Sequence, residues 1–250
     1  METADGIIWL DRVDSTSDEL RRRIPGLDNL SVVAAREQTA GRGQRGNKWL
    51  TRPGENITLS MYIRPGEDGI PAVKATDAFR LTACTALAVA SYVAYRGVRC
   101  TIKWPNDIYS GDRKISGMLI ESTVSPDGLI SDSILGIGIN INQTEFPPEI
   151  LNPTSLKKLT GQSFNVDAES TTLVALLKDS LLHHLASPSL LQDYTSLLYR
   201  HPGFHPYIDC RSGEQFDAQI DGVDPDGKLR LVLRDGTLRR FSFKEVSYVI

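Results

Sequence analysis

The chain has little of what several common chemistries require. Its three cysteines, Cys84, Cys100 and Cys210, lie far apart in 250 residues and form no CxxC pair. That leaves out zinc-ribbon and thioredoxin-type sites and a secreted disulfide framework, and it fits a reducing cytoplasm. Basic residues are not in excess: 28 Lys and Arg against 31 Asp and Glu give a net charge of −3. A general nucleic-acid binder would need a basic face. The N-terminus has no basic-then-apolar signal segment. The longest helical pattern is interrupted by polar residues, so no membrane span is expected, and no lipidation motif is present. There is no GxxxxGK[ST] phosphate loop and no GxSxG elbow. Gly136-Ile137-Gly138 lacks the third glycine of a dinucleotide fingerprint, because position 141 is Ile. His201 and His205 have metal-like spacing, but Pro202 and Gly203 forbid the helix that would use it. His183 and His184 read as surface or boundary residues of an amphipathic helix. A triad hydrolase and a zinc enzyme are therefore not supported.

What is present is an ordinary globular composition, 40% hydrophobic and 24% charged. The length suits one large domain, or one large and one small. Residues 36–52 run against the global charge, with Arg36, Arg42, Arg45, Lys48 and Arg52 against a single acid, Glu37. At the centre is Gly41-Arg42-Gly43-Gln44-Arg45-Gly46-Asn47-Lys48-Trp49. Glycines let backbone wrap closely around a ligand, and arginine forks suit phosphate and carboxylate oxygens. The tryptophan offers a flat apolar surface. The stretch reads as a mobile anion cradle, the alternative being a flexible solvated loop.

Periodicity predicts a strand at 7–10, a helix from the capping box Thr16…Glu19 to Arg23, and a strand at 32–36. A strand follows at 57–63, with Ile57, Leu59, Met61 and Ile63 on one face. A helix is predicted over 77–96, with Leu81, Cys84, Ala88 and Tyr95 at helical spacing, so Cys84 reads as core rather than nucleophile. Strands 101–109 and 114–121 flank a turn at 110–113. A further strand, 134–142, puts Leu135, Ile137, Ile139 and Ile141 on one face. Gly136, Gly138 and Asn140 fall on the other, where a ligand or a packed helix can approach closely. Helices are predicted at 168–186 and 189–199. Beyond about residue 204 three short strands with DG turns, 215–221, 228–234 and 237–243, predict a small β-barrel.

Four places carry polar chemistry: the hydroxyls Ser15, Thr16 and Ser17 at a helix start; the basic loop with Gln38 before it; Lys103-Trp104-Pro105-Asn106-Asp107; and Lys114 ahead of Gly117. They supply donors for a neutral ligand, cations for phosphates, one carboxylate suited to a metal, and a lysine. None is an evident general base or protein nucleophile. A substrate that brings its own nucleophile, such as a carboxylate attacking a phosphate, fits that set, since phosphoryl and nucleotidyl transfer rely on positioning and charge stabilisation.

These motifs, in this order, resemble the biotin–protein ligases. GRGQRGNKW resembles the family's GRGRxGxxW loop, and KWPND at 103–107 is a family signature. Lys114–Glu121 resembles its KxxGxLxE strand, and Gly136–Asn140 its GxGxN strand. Asp14-Ser15-Thr16-Ser17 resembles its opening, where Asn usually replaces Ser17. The match covers nearly the whole length. It implies an α+β fold: a class II-synthetase-like catalytic domain with a mixed sheet flanked by helices over 1–204, and an SH3-like barrel over 205–250. It also implies that biotin is joined to ATP as biotinyl-5′-AMP, then passed to a lysine of a biotin carboxyl carrier domain.

By the same resemblance, Ser15, Thr16, Ser17 and Gln38 hold the ureido head of biotin. Gly41, Arg42, Gly43 and Gln44 close on it, and Gly117, Gly136 and Gly138 let its rings lie against the sheet. Arg42, Arg45, Asn106, Asp107 and Asn140 serve ATP, Asp107 through Mg2+, and Trp49 lies against the adenylate or seals the loop. Lys114 sits between the biotin carboxylate and the α-phosphate, with Arg42 its catalytic companion. Ideal alternation would put Lys114 and Gly117 on opposite faces, so a bulge or a later strand start is required. For Trp104 core packing is expected.

Two departures stand out. Gln44 occupies a place where the family usually has Arg, and Lys244-Glu245-Val246 stands where relatives often have Gly-Glu-Ile or Gly-Glu-Val. There is no room before residue 15 for the DNA-binding module of bifunctional members, so DNA is not an expected partner. A homodimer is compatible with the family. A lipoate–protein ligase and a non-catalytic effector- or RNA-binding module are the competing readings. The loop is expected to be mobile when empty and ordered over the adenylate.

Overall fold

The structure is a computed structural model describing residues 6–249, with the Arg45 side chain outside the described set. Seven strands build one mixed sheet: β1 (Ile7–Val13), β2 (Val32–Gln38), β3 (Ile57–Ile63), β4 (Thr101–Lys103), β5 (Asp107–Ser110), β6 (Arg113–Val124) and β7 (Ile130–Ile139). Their order is β1-β2-β3-β7-β6-β5-β4. The β1–β2 pair is parallel and the other pairs are antiparallel.

The sheet has two unlike faces. Ile57, Leu59, Met61 and Ile63 of β3 are fully buried, and they join Leu135, Ile137 and Ile139 of β7 in the main core. Burying such a side chain contributes about 1.5–3 kcal/mol. Helices α2 (Phe79–Tyr95) and α4 (Val166–His183) cover that face. Ala75–Tyr95 is apolar enough by length and mean hydropathy, 1.3, to cross a membrane, which the polar interruptions did not predict. Its packing under the sheet and α4 accounts for that composition. Cys84 lies in this core, as predicted, and burial pushes its thiol up to about 11. Tyr95 does not: it is 69% exposed, with the Arg96 guanidinium 4.8 Å over its ring.

On the opposite face α1 (Thr16–Arg23) covers only part of the sheet. It is fixed there by a small cluster of Leu20, Val33, Tyr62 and Ile134. The rest of that face, including the glycine side of β7, is left as a floor.

The predicted strand 101–109 divides. Pro105 has no N–H for the ladder, and the chain turns at 104–106 so that β4 and β5 form a hairpin of their own. The short helix α3 (Leu156–Thr160), capped by Ser155, follows no sequence expectation, while α5 (Leu190–Ser196) falls within the second predicted helix.

A second sheet holds β8 (Phe204–Asp209), β9 (Gln215–Val223), β10 (Leu229–Leu233), β11 (Leu238–Phe241) and β12 (Val246–Tyr248), in the antiparallel order β11-β10-β9-β8-β12. Three of these were predicted; β8 and β12 were not. Pro206 masks β8, and β12 is three residues long. One hydrophobic cluster runs through both sheets. The Trp104 indole N–H donates to the Gly227 carbonyl at 3.0 Å and its ring meets Phe243 edge-on at 6.0 Å, which fits the core role expected of it.

Candidate active site

A cavity of about 530 Å³ lies on the uncovered face of the large sheet, walled on one side by α1 and on another by the second sheet. One end is neutral and rich in hydrogen-bonding groups. Ser15 caps α1, its side chain accepting from Asp18 N–H at 3.4 Å. The next residues, Thr16 and Ser17, are thereby turned inward and buried. Their hydroxyls meet the Ser60 hydroxyl at 2.8 and 2.9 Å. The Gln38 side-chain oxygen accepts from the Thr16 N–H at 2.8 Å and from its hydroxyl at 3.1 Å. That fixes the amide so that its NH2 is available as a donor. Ser60 was not singled out in the sequence, where it reads as one polar residue in the β3 alternation.

The floor is a glycine shelf. A methyl group on Gly136 would lie 2.8 Å from the Ser17 hydroxyl, and one on Gly138 would fall 2.2 Å from the Trp49 ring. A methyl on Gly117 would lie 3.1 Å from the Lys114 ammonium. Gly117 and Gly138 are cross-strand partners, and Gly117 faces Asp107 on its other side. The shelf therefore leads from hydroxyls at Gly136, past the indole at Gly138, to cation and carboxylate at Gly117. Two residues along a strand span about 7 Å.

Lys114 reaches this place through the irregularity that the alternation demanded. Against β5, Ile108 pairs with Ser116 but Tyr109 with Lys114, so Ile115 is an extra residue and β6 carries a bulge. The bulge turns Lys114 to the face of Gly117. Its ammonium lies 2.7 Å from an Asp107 carboxylate oxygen. Backbone hydrogen bonds to Asn152 O and from Thr154 N bracket it. Asn140 works on that bracket. It is not among the residues that line the cavity, and its buried amide donates to Thr154 O at 2.9 Å. Asn106 lines the cavity, but its NH2 is committed to the Met118 carbonyl.

The basic loop forms a narrow hairpin. Gly43 N–H donates to Asn47 O at 2.7 Å, and Trp49 N–H to Gly41 O at 2.9 Å. Gly41 is crossed by the Trp49 carbonyl and is not among the residues that line the cavity. Gly43, Gln44 and Trp49 do line it. Arg42 lines it too, but pairs outward with Glu121 and, at 3.6 Å, with Asp18. Arg21 joins the same two carboxylates at 2.5 and 2.7 Å, so the loop is tied to α1 and β6. The expected role of Arg45 concerns a side chain outside the described residues. Two buried polar atoms, the Gln44 side-chain oxygen and the Trp49 indole nitrogen, have no protein partner. Both belong to residues that line the cavity.

On the far wall Lys103, of the KWPND motif, lines the cavity with Tyr248 of β12 and Lys244 of the turn before β12, and of the three only Tyr248 was not singled out in the sequence. Burial lowers the Lys103 pKa; Lys114 and Arg200 push the same way, while Asp107 opposes them. Among the described residues no three His, Cys, Asp or Glu side chains form a metal-binding group.

A sequence profile of the Biotin/lipoate A/B protein ligase family matches residues 9–140, which carry the first three elements, the loop, the shelf and Lys114. The chain belongs to this family. Within it, a biotin–[acetyl-CoA-carboxylase] ligase of Mycobacterium tuberculosis is 31% identical over 87% of this chain and 79% of that protein. One of Paracoccus denitrificans is 35% identical over 64% of this chain, an alignment spanning 65% of its own length. The fold is that of a biotin protein ligase: the Aquifex aeolicus enzyme, solved in complex with biotin and ATP, superposes with a TM-score of 0.73 at 24% identity and 97% coverage of both chains.

Proposed function

We propose that the protein is an ATP-dependent biotin–protein ligase, which makes biotinyl-5′-AMP and transfers the biotinyl group to a lysine of a biotin carboxyl carrier domain. The observation that carries this reading is the single cavity, neutral at its Ser17–Gly136 end and charged at its Gly117 end, with Lys114 turned into it by the Ile115 bulge. The neutral end suits a ureido group, which needs donors and acceptors without net charge. The glycine shelf suits a flat bicycle lying against strand backbone. Biotin-ligase relatives across most of the chain support the same choice over lipoate.

In the first step an oxygen of the biotin carboxylate attacks the α-phosphorus of ATP. The bond to the bridging oxygen breaks, and pyrophosphate leaves with the electron pair. Two anions must approach, and on this reading the Lys114 ammonium offsets both and the charge gained at phosphorus. Arg42 exchanges its carboxylate partners for phosphate oxygens as the loop takes up ligand, and Trp49 seals the adenylate. In the second step the neutral acceptor amine attacks the carbonyl carbon of the mixed anhydride, AMP leaves, and the amine proton passes to solvent. No protein nucleophile is needed. Mg2+ supplies further neutralisation of the phosphates when it enters with ATP. One carboxylate, Asp107, is a fitting donor set for it, since Mg2+ commonly keeps waters and phosphate oxygens as its other ligands.

On this reading residues 1–204 are the catalytic unit and 205–250 an accessory barrel, and the protein works in the cytoplasm, where ATP and carrier domains are found. The test mixes protein, biotin and MgATP, with and without a carrier domain. Pyrophosphate release followed by a biotinylated carrier lysine is expected. Release with lipoate and not with biotin would overturn the assignment.

A further inference from the structure

Resting on that reading, we propose that Glu121 is a positioning residue for the first half-reaction: with Asp18 it forms a latch that holds Arg42 at the rim and competes for it with the phosphates of ATP. Glu121 closes the stretch Lys114–Glu121 and is not among the residues that line the cavity. It acts on one that is. Arg42 pairs with Glu121 and, at 3.6 Å, with Asp18. Arg21 pairs with the same two carboxylates, at 2.5 and 2.7 Å. Two cations therefore share two anions, and the group of four is neutral.

The four stand on supports of unequal stiffness. Asp18 and Arg21 are three residues apart on α1, and Glu121 lies in β6 opposite Ile134 of β7. Ile134 packs in the cluster that also holds Leu20 of α1, so these three charges are carried by one packed body. Arg42 is carried by the hairpin of residues 41–49, whose cross-strand backbone bonds, Gly43 to Asn47 and Trp49 to Gly41, stay within it. It is the member that can leave. Between 31% and 37% of each side chain is exposed, so water screens the pairs and each holds weakly. A polyphosphate in the cavity offers the same guanidinium several charged oxygens, and a two-pronged contact with them is stronger.

Arg21 decides what the release costs. When Arg42 turns to phosphate, Arg21 remains on both carboxylates, and neither is left unpaired beside an anionic ligand. The network thus has two handles of opposite sense. Neutralising Glu121 frees Arg42. Removing Arg21 leaves Arg42 as the one cation of the group, and the two carboxylates hold it harder. The latch keeps the empty loop in place without locking it, and the charge needed at the phosphates waits at the rim.

The test uses the full chain with biotin and α,β-methylene-ATP, whose α–β bridge does not break, so binding is read by calorimetry without turnover. Trypsin cleavage within residues 42–52 of the ligand-free protein reports how firmly the loop is held. Glu121→Gln is expected to tighten nucleotide binding about threefold and to speed cleavage by a similar factor, whereas Arg21→Met weakens binding and slows cleavage, each about twofold. In an Arg42→Ala background both effects on binding should vanish. A gain from Glu121→Gln that persists there marks a general field and overturns the latch. So does a change of the same sign in both variants, which marks a merely structural network. Equal nucleotide affinity in wild type and variants removes the latch and leaves the ligase assignment standing. A wild type that binds the analogue in the expected pattern yet releases no pyrophosphate from ATP keeps the latch and removes the assignment; no binding to wild type overturns both.

Discussion

Arg42 and Gln44 are two residues apart and differently placed. Arg42 reaches Glu121 and Asp18 at the rim, whereas Gln44 leaves a side-chain oxygen buried and unpartnered. A phosphate approaching the loop can recruit the guanidinium, but gains only hydrogen bonds from the amide. Arg42→Ala is expected to slow single-turnover adenylate formation by about tenfold or more, and Gln44→Ala by less. Equal rates for the two variants would refute the ranking. Lys244 poses a different question at the same scale. Its φ is 71°, in the left-handed region where a side chain costs roughly 1 kcal/mol. Lys244→Gly relieves the strain, though glycine also gains freedom in the unfolded chain and so returns part of the benefit. A rise in Tm of about 1–3 °C is expected by calorimetry. An unchanged or lower Tm would show that the left-handed backbone carries no cost here.

At the scale of elements, β7 shows what alternation can and cannot tell. Gly136 and Gly138 fall on the face opposite Leu135, Ile137 and Ile139, as the period of two requires, and that face is the cavity floor. Asn140 lies one residue beyond the strand, where the alternation no longer applies, and it turns away to hold residue 154. The β6 bulge was legible only as a demand, because Lys114 and Gly117 had to share a face. Which residue bulges depends on β5, and the sequence of β6 does not contain it. Ser60 and Tyr248 reach the site through strand pairing and the packing of the second sheet, and leave no local pattern, whereas Lys103 was legible as the first residue of the KWPND motif. The shelf itself is testable. A methyl at position 138 would overlap the Trp49 ring, at 2.2–2.7 Å from three of its atoms. The loop is the part that can yield, so Gly138→Ala is expected to expel the indole. Its emission should shift to the red, and biotin affinity should fall at least tenfold while Tm changes little. Unaltered emission would mean that the indole does not rest on the shelf in solution.

For the molecule as a whole, the ionisable groups set a pH window for stability. Hydrogen bonds from Arg22 hold the Asp14 carboxyl down to about 2, and those from Arg36 lower Asp167. Carboxyls depressed in the folded state favour it above their ordinary pKa, near 4, and lose that contribution as pH falls toward 2. Both are solvent-facing, so the acid limb is shallow. The alkaline limb has a different origin. Burial raises the Cys84 and Cys100 thiols from 9.0 to about 11. Groups raised in the folded state favour it fully below their unfolded value and lose the contribution as pH climbs through the folded one. The unfolded chain releases these protons near pH 9 while the folded chain keeps them. Each thiol therefore erodes stability by up to about 1.4 kcal/mol per pH unit between pH 9 and 11. Urea unfolding from pH 3 to 10.5 should give a plateau between about 5 and 9 and a steeper fall on its alkaline side. Replacing both thiols, Cys84→Ala with Cys100→Ala, lowers the plateau by leaving small cavities. It should nonetheless flatten the descent between pH 9 and 10, before the raised tyrosines begin to titrate. A descent as steep as that of wild type would place the alkaline sensitivity elsewhere and show that the two thiols are not protected as deeply as their burial implies.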